Sequence, residues 1–103
     1  MYKITVGICV YKQSKWLFRC LRSLISQKIP KNEFEVIIVN DEPENDISEI
    51  TNNLKEVLNI RVLNNKDNIG LPNSLNKILK TTRGRYFVRI DADDYVSSHF
   101  LYI

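Results

Sequence analysis

The sequence predicts a three-layer α/β/α architecture, in which a parallel sheet carries helices on both of its faces. Short apolar runs alternate with helical stripes along the chain, which is typical of successive βαβ units. The strongest run, VIIV at 36–39, shows no polar alternation, as expected for a strand that is buried from both sides. A chain of 103 residues with 44% hydrophobic content and no linker or repeat predicts a single domain spanning 1–103.

Four segments rich in β-branched or aromatic residues predict the strands of this sheet. Three are long apolar runs, ITVGICV, FEVIIVN and YFVRID, and the segment IRVLN is a shorter one. In chain order the predicted strands are β1 at 3–10, β2 at 34–40, β3 at 60–64 and β4 at 85–91.

Three amphipathic stripes predict helices between these strands. They are α1 at 14–28, α2 at 46–58 and α3 at 71–82. Ser14 is a plausible N-cap for the first, and Asp46 with Glu49 has the spacing of a capping box for the second. Pro72 is tolerated in the first turn of the third, and Gly84 is placed to end it. The order of elements is that of a Rossmann-like fold.

Composition excludes several classes of protein. The formal net charge is only +3 and no basic block stands out, so we expect no nucleic acid partner. Cys9 and Cys20 fall inside apolar patterns and form no C-x-x-C pair, which predicts buried reduced thiols and suits a cytoplasmic protein. We expect neither a secretory signal nor a membrane span.

Polar residues collect where three of the predicted strands end. Tyr11 and Lys12 follow β1, the segment Asn40–Glu42 follows β2, and Asp91–Asp94 closes β4. One polar strand end would be explained by contact with solvent. Three of them at the same edge favour a ligand crevice, because parallel sheets bind ligands at the carboxyl ends of their strands.

The aspartates after β4 indicate how such a crevice would hold phosphate. The three glycines are not spaced as a dinucleotide fingerprint or a P-loop, so a phosphate ligand needs another counterion. Asp-x-Asp offers hard oxygen ligands for Mg²⁺ or Mn²⁺. By itself the motif also fits a solvated acidic turn. A calcium loop does not fit, because Val96 and Tyr102 stand where that loop needs glycine and glutamate.

Four segments together resemble family 2 glycosyltransferases of the GT-A fold. They are the opening ITVGICVYKQSKWLFRCLRSLISQ, then FEVIIVNDEPEND, then NIGLPNSLNKIL, and finally GRYFVRIDADD before the D-x-D. Their order and spacing hold across essentially the whole chain. The resemblance implies a transferase that moves a sugar from a nucleotide-diphosphate donor, commonly a UDP-sugar, to an acceptor hydroxyl in polysaccharide or glycoconjugate synthesis.

The resemblance also implies a role for individual residues. Tyr11 would lie against the nucleotide base and Asp41 would accept a hydrogen bond from it. Asp93 would hold a divalent metal, Mn²⁺ or Mg²⁺, against the diphosphate, and Asp91 would touch the ribose or a metal-bound water. The full set of implied nucleotide-binding residues is Val10, Tyr11, Lys12, Asp41, Asn76 and Asp91, and the implied metal ligands are Asp91 and Asp93.

The chain departs from the family pattern at several positions. NDEP replaces a frequent DDGS, Lys12 replaces a frequent asparagine, and Leu75 replaces a frequent arginine, so phosphate contacts would fall to Lys12 or Arg89. The sequence stops shortly after the D-x-D. We therefore expect the catalytic base beyond Ile103 and only the donor-binding half within this chain.

Two further interpretations stay open at this stage. One is an unrelated metal-dependent phosphotransferase. The chain would also fit a non-catalytic nucleotide-binding or assembly module, pairing with a second copy through an exposed sheet edge. A glycosyltransferase of this kind would be cytoplasmic or peripheral at the inner face of the membrane. His99 is a weak candidate metal ligand, and Trp16 and Phe18 are interpreted as core or interface residues rather than a sugar platform.

Overall fold

The computed structural model describes residues 2–102 and shows the predicted order of elements. The strands are β1 (Tyr2–Val10), β2 (Phe34–Asn40), β3 (Ile60–Asn64) and β4 (Gly84–Asp91). The helices are α1 (Ser14–Ile25), α2 (Ser48–Leu54) and α3 (Leu71–Thr81), and a short 3-10 turn at Lys31–Glu33 precedes β2. No helix within residues 2–102 has the length and apolar character needed to cross a membrane.

The four strands form one parallel sheet in the order β3-β2-β1-β4. Val10 pairs with Asn40 on one side of β1, and Cys9 pairs with Asp91 on the other. The carboxyl ends of β2 and β4 therefore flank the end of β1 at the same level. This register is what gathers the polar strand ends at one edge.

Helices cover both faces of the sheet, which confirms the three-layer prediction. On one face, buried residues of α1 such as Leu17, Leu21 and Leu24 pack in the larger core with β1 and β2. On the other face, Ile78 of α3 packs against Ile37 and Val39 of β2. Burial of both faces explains why β2 has no exposed residue.

Helices α1 and α3 begin at residues 14 and 71 as predicted, but the predicted caps of α1 and α2 are wrong. The N-cap position of α1 is Gln13 rather than Ser14, and its side chain makes no capping hydrogen bond. Helix α2 begins at Ser48, and Asp46 acts one residue earlier than predicted: its Oδ1 accepts the Ser48 N–H at 2.8 Å. That contact two residues along the chain is an Asx turn, and it satisfies the Ser48 N–H rather than the Glu49 N–H that a capping box would have engaged.

Two predicted helix ends also differ from the structure. Helices α1 and α2 end at Ile25 and Leu54, and the apolar stripe of α2 continues only through turns to Leu58. Gly84 was predicted to end α3, but in the structure it begins β4. A Cβ at this position would lie 2.4 Å from the Thr5 backbone nitrogen, so the close approach of two strands requires the glycine.

A buried carboxylate ties the strands together at the opposite edge of the sheet. Glu35 is 1% exposed and accepts hydrogen bonds from the Thr5 hydroxyl at 2.6 Å, from the Arg83 N–H at 2.7 Å and from Arg61 at 3.1 Å. Burial alone would raise the pKa of Glu35, but these donors and the Arg61 charge outweigh it and hold that pKa below the ordinary 4.5. Arg83 also forms an ion pair with Glu35, with its Nε 3.4 Å from Glu35 Oε1.

Candidate functional site

The carboxyl edge of the sheet contains an open pocket of about 360 Å³. Its wall comes from the end of β1, the turn after β2 and the loop after β3. The lining residues are Tyr11, Lys12, Glu42, Pro43, Glu44, Lys66, Asp67 and Asn68. The volume lies within the range of small-molecule sites, and the wall offers an aromatic ring together with charges of both signs.

Two predicted binding residues, Tyr11 and Lys12, lie at this pocket. The Tyr11 ring is 45% exposed, and the Lys12 ammonium stands 5.2 Å from its centroid. Lys12 has a φ of 61°, a left-handed conformation that favours glycine and asparagine. This conformation would suit asparagine, the residue that the resemblance implies here, better than it suits lysine.

Val10, another predicted binding residue, connects two strand ends through its backbone. Its side chain is fully buried in the core, and its carbonyl accepts the Asp41 N–H at 2.9 Å. This bond joins the end of β1 to the end of β2, directly below the pocket.

Asp41 is buried beneath the pocket and is fully engaged by the chain itself. The residue is 2% exposed. Its Oδ1 accepts the Ile69 N–H at 2.8 Å and the Asn65 amide at 2.9 Å, while its Oδ2 accepts the Gly70 N–H at 2.9 Å and the Asn68 amide at 3.1 Å. These four donors fix the loop between β3 and α3 against the end of β2.

The same contacts set the ionisation of Asp41. Burial alone would raise the pKa of Asp41, but the hydrogen bonds from Ile69, Asn65 and Gly70 outweigh it and hold that pKa below the ordinary 3.8. A base that donates to this carboxylate has to displace one of the four donors. Asn68 is the exposed one and lines the pocket, so it is the donor that can leave. The predicted hydrogen bond from a base to Asp41 stays a prediction.

The residues after β4 form a tight turn with three exposed carboxylates. The Asp94 N–H donates to the Asp91 carbonyl at 3.0 Å, and the Asp91 N–H donates to Asp94 Oδ2 at 3.1 Å. One oxygen from each of Asp91, Asp93 and Asp94 lies within 4.8 Å of the others. We call residues 91–94 the carboxylate turn.

The carboxylate turn fits a hard divalent cation. Asp91 forms an ion pair with Arg89 at 2.8 Å, an exposed contact of the kind that contributes little stability and that a cation can displace. Within residues 2–102, no hydrogen bond or ion pair engages the Asp93 carboxylate. Three oxygens that close together repel one another unless a cation lies between them.

Comparisons with known proteins decide the family. Residues 5–103 match the family model described as glycosyl transferase family 2. The chain belongs to glycosyl transferase family 2. A poly(ribitol-phosphate) beta-glucosyltransferase of Bacillus spizizenii is 34% identical over 101 residues, which are 96% of this chain and 16% of that protein. The poly(ribitol-phosphate) beta-N-acetylglucosaminyltransferase TarS of Staphylococcus aureus is 32% identical over 98% of this chain and 18% of its own length.

Solved structures of family 2 enzymes share the fold. A fragment of S. aureus TarS crystallised with UDP matches with a TM-score of 0.89 at 32% identity, over 96% of this chain and 30% of that one. A mannosyltransferase from Pyrobaculum calidifontis in complex with GDP-Man and Mn²⁺ matches with a TM-score of 0.81 at 21% identity, over 92% and 29%. These matches confirm the GT-A fold. The chain spans less than a third of each structure.

Two residues singled out in this family 2 sequence lie away from the pocket wall and the carboxylate turn. Asn76 is exposed in the middle of α3, about 200° around the helix from the buried Ser74 and Ile78. His99 contacts Ser98 at 3.3 Å and packs edge-on against Tyr102, with ring centroids 6.2 Å apart. His99 is not part of the cluster formed by Asp91, Asp93 and Asp94.

Sequence reasoning missed several residues that shape the site. No site residue is predicted in the segment LNNKDN, yet its second asparagine, Asn65, is 5% exposed, and both Asn65 and Asn68 donate to the Asp41 carboxylate. Gly70 has a φ of 84°, which the turn into α3 requires. An Asn-x-x-Asn-x-Gly pattern between a strand and a helix is a usable signal for such a loop. Arg19, on α1, reaches the carboxylate turn.

Proposed function

We propose that this chain is the donor-binding half of a metal-dependent glycosyltransferase that uses a UDP-sugar. One observation carries the proposal: strand register brings an aromatic, partly cationic pocket at the end of β1 and an unpaired carboxylate after β4 to the same edge. A nucleoside diphosphate combines a flat base with a polyanion. The Tyr11 ring offers a face for the base, and a divalent cation held by the carboxylates would offer positive charge for the diphosphate.

In this proposal the chain's own residues bind and orient the donor. The Tyr11 ring packs against the base, and Lys12 and Arg89 bring positive charge to the diphosphate. Asp93 and Asp91 would hold a divalent metal, which when bound would stabilise the negative charge of the leaving diphosphate. The exposed 2.8 Å ion pair between Arg89 and Asp91 can open, so Arg89 would be free to contact the diphosphate.

Similarity to named relatives supports the choice of donor and acceptor. TarS, with 32% identity to this chain, has been crystallised with UDP and with UDP-GlcNAc. Two relatives are named as poly(ribitol-phosphate) glycosyltransferases. We infer an acceptor hydroxyl on a polysaccharide or glycoconjugate, which a general base deprotonates.

A thermal-shift experiment tests the donor-binding proposal. We expect UDP with Mn²⁺ to raise the melting temperature of the wild-type chain, and UDP or Mn²⁺ alone to raise it less. Asp93→Ala should remove the increase. Glu56→Gln, which removes an exposed carboxylate in the turn after α2, should keep it. A wild-type chain that is insensitive to UDP with Mn²⁺ contradicts the proposal.

The lateral edge of the sheet favours a second candidate, assembly with another copy of the chain. Within residues 2–102, β4 has no neighbouring strand on its outer side. Tyr86 is 53% exposed on this edge strand, beside an apolar groove of about 200 Å³ formed with Phe87, Phe100 and other residues. A second β4 would satisfy the unpaired backbone groups of the edge. Light scattering with size exclusion should then give a dimer that Tyr86→Lys dissociates, and a strict monomer rejects this candidate.

We further propose that the protein acts in the cytoplasm or at the inner face of the membrane. Its two cysteines are free: Cys20 is buried and Cys9 is half-buried, as expected for a protein kept under reducing conditions. Cell fractionation with antibody detection tests this placement, and recovery outside the cytoplasmic membrane contradicts it.

A further inference from the structure

We propose that Arg19 is a positioning residue that holds the carboxylate turn in the shape needed to bind the metal and diphosphate. The part of this inference that concerns ligand affinity rests on the proposed function. The part that concerns the shape of the turn does not, because it follows from contacts within the chain.

Arg19 contacts the turn through its backbone. One guanidinium nitrogen donates to the Asp93 carbonyl at 2.8 Å. The guanidinium carbon lies 4.9 Å from the ring centroid of Trp16, one helical turn earlier, and 4.9 Å from that of Tyr95, just after the turn. Two aromatic rings thus restrict the side chain while it holds the carbonyl.

The contact orients the turn without using up its carboxylates. None of the ion pairs within residues 2–102 joins Arg19 to Asp91, Asp93 or Asp94. Because the carbonyl of Asp93 is fixed, the direction of its side chain is restricted too, and the carboxylate stays available. The positive charge also offsets part of the repulsion among three carboxylates.

Other contacts from α1 and from the residues just after it support the start of the turn and the segment beyond it, but they do not reach Asp93. Upstream, the Cys20 thiol lies 3.6 Å from the Asp91 carbonyl. Downstream, Gln27 donates to the Ser97 carbonyl at 2.6 Å and accepts the Leu101 N–H at 2.8 Å. Among the contacts within residues 2–102, Arg19 is the α1 residue that holds Asp93 itself, so its loss should act locally.

The chemistry of the contact favours arginine over lysine. A guanidinium is flat, so it can stack against Trp16 and Tyr95 and still donate in its own plane. An ammonium keeps the charge and one donor but loses the stacking. We therefore expect Arg19→Lys to retain part of the effect and Arg19→Gln, which also loses the charge, to retain least.

Arg22 provides a matched control on the same helix. It is an exposed arginine that also stacks on an aromatic ring, with its guanidinium carbon 5.8 Å from the Phe18 centroid. No hydrogen bond or ion pair within residues 2–102 joins it to the carboxylate turn. Arg22→Gln therefore removes the same charge and the same kind of stacking contact without touching the turn.

The experiment combines two measurements on wild type, Arg19→Lys, Arg19→Gln and Arg22→Gln. Hydrogen–deuterium exchange of the unliganded proteins reports the order of residues 91–96, and calorimetric titration with UDP at saturating Mn²⁺ reports affinity. We expect Arg19→Gln to speed exchange in this segment and to weaken UDP binding about tenfold, the size of one lost charge-assisted hydrogen bond. Arg19→Lys should lie between, and Arg22→Gln should match wild type.

The two measurements separate the possible failures. Unchanged exchange of residues 91–96 in Arg19→Gln overturns the inference. Faster exchange with unchanged UDP affinity also overturns it, because the turn would then be held without any use for binding. The inference is also overturned if Arg22→Gln speeds exchange and weakens UDP binding as much as Arg19→Gln does. A general effect of charge would then explain the results for both variants. A wild type that binds no UDP rejects the proposed function, and exchange alone then decides whether Arg19 holds the turn.

Discussion

Asp41 and Asp93 are the same residue type at the same edge of one sheet, yet their surroundings are opposite. Asp41 is 2% exposed and accepts four hydrogen bonds from the loop between β3 and α3. Asp93 is exposed, and within residues 2–102 only its backbone carbonyl is held, by Arg19. One carboxylate is committed to the fold, and the other is available for a ligand.

This difference assigns separate tasks to the two strand ends. The end of β2 builds the pocket, because Asp41 fixes the loop that carries Asn68 and Gly70. The end of β4 supplies the exposed carboxylate of Asp93, which no hydrogen bond or ion pair within residues 2–102 engages. An aspartate at a strand end is therefore not by itself evidence of ligand binding; the donors that already surround it decide its role.

The same substitution at both positions gives the largest expected contrast. Asp41→Asn places an amide where four N–H donors converge, so we expect it to reduce the free energy of unfolding by about 3 kcal/mol. Asp93→Asn removes an exposed charge and should change it by less than about 0.5 kcal/mol. Urea denaturation followed by circular dichroism measures both, and similar losses in the two variants would contradict the assigned roles.

Acid should weaken the fold through its buried carboxylates. The pKa values of Asp41 and Glu35 are lowered in the fold, so their stabilising contributions are present above the ordinary values of 3.8 and 4.5 and are lost as pH falls below them. We expect the wild-type free energy of unfolding to fall from about pH 4.5 downward. Asp41→Asn and Glu35→Gln should each show a shallower slope in urea titrations at several pH values. Slopes equal to wild type would show that these carboxylates do not carry the acid sensitivity.

Replacing Gly70 tests whether the loop that Asp41 holds needs its left-handed backbone conformation. Its φ of 84° is unfavourable for residues with a Cβ, while the nearest atom to an added Cβ is Pro72 Cδ at 4.0 Å. Gly70→Ala should therefore lose about 1 to 2 kcal/mol through conformation rather than a clash. Thermal denaturation measures the loss, and an unchanged melting temperature would show that the loop tolerates another path.

Lys12 should show a small effect on stability, and one of opposite sign. Lys12→Asn relieves a left-handed conformation at φ 61° and should stabilise the fold by about 0.5 to 1 kcal/mol. The same change should weaken UDP binding, because it removes a cation from the pocket wall. Lys15→Asn, in the first turn of α1, serves as the control. A stability gain without loss of affinity would remove Lys12 from the proposed diphosphate contacts.

The sequence predicted the fold well because its signals are local. Continuous apolar runs and helical stripes identified the strands and helices, and strand register then placed Tyr11, Lys12 and the carboxylate turn at one edge. The four donors to Asp41 were not predictable in this way, since they come from residues 24 to 29 positions further along the chain. Arg19 and Asp93 are 74 positions apart, and their contact depends on how α1 packs beside β4.

Paramagnetic broadening by Mn²⁺ in the presence of UDP tests the shared edge most directly. In a ¹H–¹⁵N correlation spectrum of the ¹⁵N-labelled chain, we expect signals of residues 91–94 to broaden first. Those of Tyr11 and Lys12 should follow, and signals near Glu35 at the opposite edge should stay sharp. Broadening that spares the carboxylate turn, or that does not reach Tyr11 and Lys12, would contradict a single metal and nucleotide site.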